Sequence, residues 1–214
     1  MGSGAGQTFI SYATSPDLEK WTRRESGPIA CAVGRDPFVF EHQGRSILLY
    51  TGHGGARVSA CVSKDLRQWE ALPDLLTITG GVAAESPSLH PLKVGFVLWF
   101  NDYGENLAGF RAGYALSDDP FHFEFGAIRE FEFQTATPGV VPSPELRVGG
   151  PVPLSIELIA RGEKTWLVAY FRWQGDRNRL FFGEIDWAPE RAVIREITET
   201  QQLEQSLKEH PLPD

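Results

Sequence analysis

Hydrophobic and polar positions alternate along much of this chain in short runs, and the runs recur. FISYAT, RVSACVS and RAGYALS each follow the period of two expected for strands half-buried on a sheet. Each run leads into a Ser-x-Asp turn. Ser15, Asp17, Leu18 and Trp21 form SPDLEKW; Ser63, Asp65, Leu66 and Trp69 form SKDLRQW. A degenerate copy, SDDPFHF, carries Ser117, Asp119, Pro120 and Phe123. Asp17 and Asp65 lie 48 residues apart, and Asp65 and Asp119 lie 54 apart. The pattern predicts a strand, an Asp-nucleated turn and a short outer strand, with the closing aromatic packed back on the sheet.

A second element recurs out of phase with the first. RDPFVFEHQGRSILLYTG (35–52), ESPSLHPLKVGFVLWFND (85–102) and IELIARGEKTWLVAYFRW (156–173) each read as a strand, a tight turn and a second, apolar strand. Inner hairpin, strand, Asp turn and outer strand, repeated at about fifty residues, is the arithmetic of a β-propeller blade. LFFGEIDW (180–187) and AVIREI (192–197) complete the last blade. The segment before Arg35 supplies only the outer half of an earlier blade, so about three and a half blades are expected over 7–197. A twisted β-sandwich is the alternative, and the 48- and 54-residue spacings argue against it. The polar tail 198–214 contains a short helical stretch, QQLEQSLKEH.

Composition narrows the function classes. Fourteen Phe, six Trp and five Tyr against one Met, with 22 Gly and 15 Pro, lean towards strands and turns. A net charge of −8 argues against nucleic acid or an anionic membrane as partner. The opening MGSGAG has neither a charged nor an apolar signal region and reads as an expression scar or the start of a fragment. The compartment stays open, cytoplasmic if the chain is complete. Cys31 and Cys61 are read as two reduced thiols, since nothing in the sequence pairs them. The five His form no Cys/His cluster and no H-E-x-x-H, and there is no phosphate-binding loop, so neither metal nor cofactor is expected.

The innermost strands of a propeller line one channel, so equivalent positions from successive blades meet around the axis. Aligning the three inner hairpins places Asp36, Glu85 and Glu157 near the heads of those strands. Carboxyl groups crowded there would drive each other's pKa apart, as cleavage of a glycosidic bond requires. GRDPFVF, AESPSL and the repeated S-x-D-L-x-x-W together resemble the five-bladed β-propeller glycosidases. These are the β-fructosidase and arabinanase/xylosidase groups, glycoside hydrolase families 32, 43 and 68, and the resemblance runs from Thr8 to about Trp187.

The resemblance implies glycosidase chemistry on a partial five-bladed propeller. It implies Glu85 as the general acid and Asp36 as the aspartate that stabilises the transition state or tunes the acid. Arg35 would bind sugar hydroxyls or orient a carboxylate. Two departures stand out: Ser86 replaces the Cys of many fructosidases, and the strand that carries the family's nucleophile or base, the inner strand of the first blade, has no counterpart here. Glu157, Trp99, Trp173 and His53 are further candidates for sugar contact, Trp166 also among the aromatics. The plainer alternatives are a turn residue for Asp36, a surface residue for Glu85, a salt-bridged Glu157, core tryptophans and an exposed His53. The rival functions are a carbohydrate-binding or vestigial propeller without turnover, and a protein-binding scaffold. An oligosaccharide or glycoside is the expected ligand, and unclosed blade edges predict self-association.

Overall fold

The repeated turns close through their own side chains. Ser63 Oγ accepts the Asp65 N–H (3.3 Å), and Asp65 Oδ1 accepts the N–H groups of Arg67 and Gln68 (2.8 and 2.9 Å). Asp17 Oδ1 does the same for Glu19 and Lys20 (3.0 and 2.8 Å). Leu18 and Leu66 adopt left-handed backbone (φ 62° and 58°). Their carbonyls accept the indole N–H of Trp21 and Trp69 (3.1 and 3.2 Å). In the degenerate copy Pro120 cannot take a positive φ. Asp119 still accepts the Phe121 N–H (2.9 Å), but Phe123 turns into the core and its N–H bonds the Leu75 carbonyl (2.8 Å).

The computed structural model describes residues 7–78, 81–104, 111–134, 154–162, 165–174, 177–188, 191–198 and 200–209. Strands β1 (Ala13–Thr14) and β2 (Thr22–Arg23) pair as an outer ribbon, the described part of blade 1. Blade 2 is β3 (Gly34–His42), β4 (Arg45–Gly52), β5 (Arg57–Ser63) and β6 (Glu70–Ala71), with β7 (Leu76–Thr77) also on β5. Blade 3 is β8 (Gly81–Pro91), β9 (Phe96–Gly104), β10 (Arg111–Ser117) and β11 (Arg129–Glu130). After β12 (Glu132–Gln134), blade 4 follows as β13 (Leu154–Arg161), β14 (Thr165–Gln174), β15 (Arg177–Ala188) and β16 (Arg191–Ile197). β12 adds to the outer edge of blade 4, parallel to β16. Helix α1 (Thr200–Glu209) ends the described chain. The architecture is an all-β, partial propeller.

One apolar layer fills each space between blades. Ile47 and Leu49 of β4 meet Leu98 and Phe100 of β9 between blades 2 and 3. Trp99 and Tyr114 meet Val168, Tyr170 and Ile185 between blades 3 and 4. Leu48, Tyr50 and Cys61 on the other face of blade 2 meet Ile10, Ile29 and Ala32. β4 is therefore buried on both faces, which is why its sequence is a continuous apolar run instead of an alternation. Arg172 and Glu196 form a buried ion pair (3.1 Å) in blade 4, with the Phe181 ring 4.2 Å from the guanidinium. None of the described helices is long and apolar enough to cross a membrane.

Cys31 and Cys61 are bonded to each other, with Cα atoms 6.4 Å apart. The reading of two reduced thiols is thus corrected. Cys31 lies in a loop whose folded position no local pattern specifies, and only the stacking of blade 1 on β5 brings the pair together. Trp69 is partly buried against this layer, whereas Trp21 remains 58% exposed.

Two outcomes follow. The backbone N–H groups of Gln68 and Arg67 hold the Asp65 carboxyl below its ordinary pKa. Its contribution is therefore present above the unfolded value of about 3.9 and is lost as pH falls through the folded value. Asp65→Asn should lower Tm at neutral pH, with the difference shrinking in melts below about pH 4. A gap that stays constant with pH would remove the charge from the explanation. The disulfide spans a sequence separation of 30. The chain-entropy treatment gives it on the order of 3.5 kcal/mol, so Cys31→Ser should lower the denaturant midpoint by a comparable stability. An unchanged midpoint would mean the sulfurs are not joined.

Candidate functional site

The site begins with one backbone irregularity repeated three times. Asp36, Ser86 and Ser155 have left-handed backbone (φ 54°, 50° and 49°), and each lies in a register shift at the head of an inner strand. The shifts fall between Arg35 and Phe38, between Glu85 and Ser88, and between Leu154 and Glu157. Each inserts an extra residue that re-aims the side chains of the strand head. The three positive-φ residues are thus equivalent, and they are tied together. Asp36 Oδ2 accepts the Ser86 N–H (3.3 Å), and the hydroxyls of Ser86 and Ser155 are 3.1 Å apart. Thr51 Oγ1 bridges Asp36 Oδ2 (3.2 Å) and the Ala84 carbonyl (3.0 Å).

Charge collects on blades 2 and 3. The Arg35 guanidinium forms an ion pair with Glu85 and lies 3.7 Å from Asp36 Oδ2. Asp36 and Glu85 are both partly exposed, so the cluster opens to solvent. Gly34 permits the close start of β3: a Cβ there would fall 2.1 Å from the Thr51 carbonyl oxygen. His53 is exposed in the β4–β5 loop, whose Gly55 carbonyl accepts the Ala84 N–H (2.6 Å), one residue before Glu85.

The expected equivalence of Asp36, Glu85 and Glu157 does not hold. The structural equivalent of Asp36 is Ser86, not Glu85; Glu85 stands opposite Asn101 as Arg35 stands opposite Thr51. In blade 4 these positions are Leu154 and Phe171, so it adds no charge at that level. Glu157 pairs with Ala169 and shares the blade face that also bears the exposed Phe171. Surrounding protein raises the Glu157 pKa by desolvation, although the residue is exposed. Among the described residues no hydrogen bond or ion pair joins it to Arg35, Asp36 or Glu85.

Trp99 is corrected outright as a sugar platform. It is 1% exposed, packed against His90, Phe131 and Trp166 at centroid distances of 4.5, 5.6 and 5.7 Å, so no face remains for a ligand. Trp166 is likewise core, stacked on Trp187 at 5.1 Å. The Trp173 side chain lies outside the described residues. Thr51 and Ser155 were missed in the sequence. Aligning Pro37 with Pro87 would have matched Asp36 to Ser86 and exposed the pattern.

No family model matches the sequence, and no curated protein does. Solved structures do. A GH32 β-fructofuranosidase from Bombyx mori superposes with a TM-score of 0.66 at 17% identity, over 90% of this chain and 45% of that one. This chain shares its propeller fold with five-bladed propeller glycosidases. An endo-1,4-β-xylanase from Bacteroides thetaiotaomicron matches at 0.64 and 14% identity, over 93% of this chain and 67% of its own. A β-1,2-mannobiose phosphorylase from Listeria innocua matches at 0.58 and 18%, over 86% and 51%. The chain thus spans about half the length of the fructofuranosidase, and at such identities the likeness establishes the propeller fold alone.

The strained backbone gives a direct test. Ser155→Gly and Ser155→Ala both remove the hydroxyl that meets Ser86, but only Gly accepts the left-handed conformation without strain. The Gly variant should be the more stable by about 1 kcal/mol in denaturant unfolding. The opposite order, normal for a strand interior, would mean that the kink is not there.

Proposed function

We propose that this chain is the sugar-binding part of a glycoside-cleaving propeller, with its chemistry centred on Arg35, Asp36 and Glu85. The supporting observation is the Arg35–Glu85 ion pair beside Asp36, at the heads of adjacent inner strands on a propeller-glycosidase fold. Glycosidic cleavage needs an acid at the leaving oxygen and a second carboxylate as nucleophile or as base for water. The described cluster offers candidates for the acid and for a stabilising aspartate, so water attacks without a dedicated base and turnover is slow. Glu85 takes the acid role once bound sugar draws Arg35 away and the carboxyl is protonated, because the ion pair itself favours the carboxylate. Asp36, held by Thr51 and Ser86, takes the stabilising one. Arg35 orients Glu85 and meets sugar hydroxyls, with His53, Glu157 and Trp173 as further sugar contacts. A variant of the Bombyx mori fructofuranosidase is described in complex with sucrose, which favours a saccharide as ligand.

Binding without turnover is the second reading, and a specific observation favours it. Blade 4 offers Leu154 and Phe171 where blades 2 and 3 offer Arg35, Glu85, Thr51 and Asn101. Only two acidic side chains therefore meet in the described cluster, and the Asp36 carboxylate is already bonded to its neighbours. On the first reading, the purified chain hydrolyses aryl arabinofuranosides, xylosides or fructans slowly. Glu85→Gln should then lower that rate by about 10²-fold or more, the usual weight of a general acid, with sugar affinity retained by calorimetry. Binding without measurable hydrolysis in either protein selects the second reading. Hydrolysis indifferent to Glu85→Gln, or no saccharide binding, would overturn the assignment of this cluster.

A further inference from the structure

A polar side chain on the second strand of a blade can support the strand head opposite it. Thr51 of β4 stands opposite Arg35 and is fully buried, and its hydroxyl meets both Asp36 Oδ2 and the Ala84 carbonyl. Asn101 of β9 holds the same place in blade 3, opposite Glu85, and is 3% exposed. It shares a strand face with Val97 and Trp99, in the layer between blades 3 and 4. Unlike Thr51, it has no bond to show. The hydroxyl of Ser86, which matches Asp36, lies 3.1 Å from that of Ser155. Among the described residues no hydrogen bond reaches the Asn101 side-chain amide.

A buried amide without a partner is costly, so its position points to a partner that another state of the site supplies. Directly opposite residues of an antiparallel pair have Cβ atoms about 4.5–5.5 Å apart. The Glu85 carboxyl group is therefore within reach of the amide, although Arg35 of blade 2 now holds its Oε1. Charge decides when the two meet. Arg35 keeps Glu85 ionised, and a carboxylate has no proton to give. The acid role requires Arg35 to let go, and a carboxyl group released on a flexible side chain has no fixed direction. A carboxamide suits the released group. Its N–H donates to one carboxyl oxygen, leaves the other to carry the proton, and brings no charge that would favour ionisation.

We propose that Asn101 is a positioning residue for Glu85: when Arg35 withdraws, the Asn101 amide takes over one oxygen of the carboxyl group and fixes the direction of the other. The proposal rests on the reading of Glu85 as the acid. Among the described side chains, the charged groups at this level are Arg35 and Asp36 of blade 2. Blade 4 presents Leu154 and Phe171 there, with Glu157 farther along its inner strand, and β9 presents only the uncharged Asn101. Exchange of Arg35 for Asn101 thus replaces a cation by a neutral donor at the same carboxyl group.

The test needs neither a sugar nor turnover. The protein is labelled at glutamate carboxyl carbons, the Glu85 signal is identified by its loss in Glu85→Gln, and its titration is followed by NMR. Four proteins are compared: the unaltered chain, Asn101→Ala, Arg35→Met and the double variant. An N–H donor favours the carboxylate, though less than a guanidinium does. The Glu85 midpoint should therefore rise in Arg35→Met and rise again, by about half a pH unit or more, when Asn101→Ala is added. With Arg35 present, Asn101→Ala should leave the midpoint nearly unchanged, which separates an exchange of partners from a general loosening of the blade. Asn101→Leu, which keeps the volume, serves if the alanine variant does not fold. Equal midpoints in Arg35→Met with and without Asn101 overturn the proposal, as does an equal shift in both backgrounds. Failure of the acid reading shows separately, in hydrolysis rates indifferent to Glu85→Gln.

Discussion

Three residues held in left-handed backbone at the heads of the inner strands govern how the blades meet. A regular strand would deliver Asp36 to one face and its neighbours to the other, with no side chain reaching across to the next blade. The extra residue in each strand head turns the side chain instead, so that Asp36 takes a backbone N–H from blade 3 and Ser86 reaches Ser155 of blade 4. Below that level the strands alternate, apart from a second shift in β13 between Leu158 and Ala160, and apolar sets meet across the described spaces between blades. Polar cohesion near the opening and apolar cohesion beneath it are thus divided by a single kink. The strain of the kink is offset by bonds that only the kinked form can make.

The parts of the fold legible in the sequence are those whose chemistry is local. A Ser-x-Asp turn is built from side chains two and three residues from the amides they bind, so its copies look alike in sequence and in space. Doubly buried β4 and β9 announce themselves as apolar runs. The alignment of the carboxylates was not legible in the same way, because a register shift cannot be seen in a hydrophobic pattern. It moved Glu85 onto the place of Arg35 and left Ser86 opposite Asp36. Trp99 misled for a related reason: an aromatic in a strand faces a ligand or a neighbouring blade according to stacking that the strand itself does not encode.

Blade 4 differs from the others in how it uses charge. At the inner end it presents Leu154 and Phe171, and its strongest electrostatic feature, Arg172 with Glu196, is buried away from solvent. The Arg172 side chain also lies beside Phe133 of β12 (5.8 Å), which helps to seat that parallel strand on the blade. Breaking one partner of such a pair leaves an uncompensated buried charge, commonly at a cost of about 3–5 kcal/mol. The pair therefore acts on the geometry of the blade's outer half and has no share in the solvent-open cluster of blades 2 and 3.

The bond between Cys31 and Cys61 ties the order of folding to the surroundings in which folding happens. Cys61 is fully buried in the layer between the ribbon and blade 2, under Ile10, Ile29 and Ala32. An oxidant reaches its thiol only while that layer is open, and a reductant reaches the finished bond only if the layer opens again. The polar holds of blade 1 on blade 2 include the Tyr12 hydroxyl on the Leu66 carbonyl, Arg24 on the Arg67 carbonyl (2.7 Å), the Tyr50 hydroxyl on the Cys31 carbonyl (2.7 Å) and the Gly34 N–H on the Thr8 carbonyl (2.9 Å). Disulfides belong to oxidising compartments. A chain that closes in reducing surroundings and meets an oxidant only afterwards would keep its two thiols face to face, sealed from the reagent that could join them.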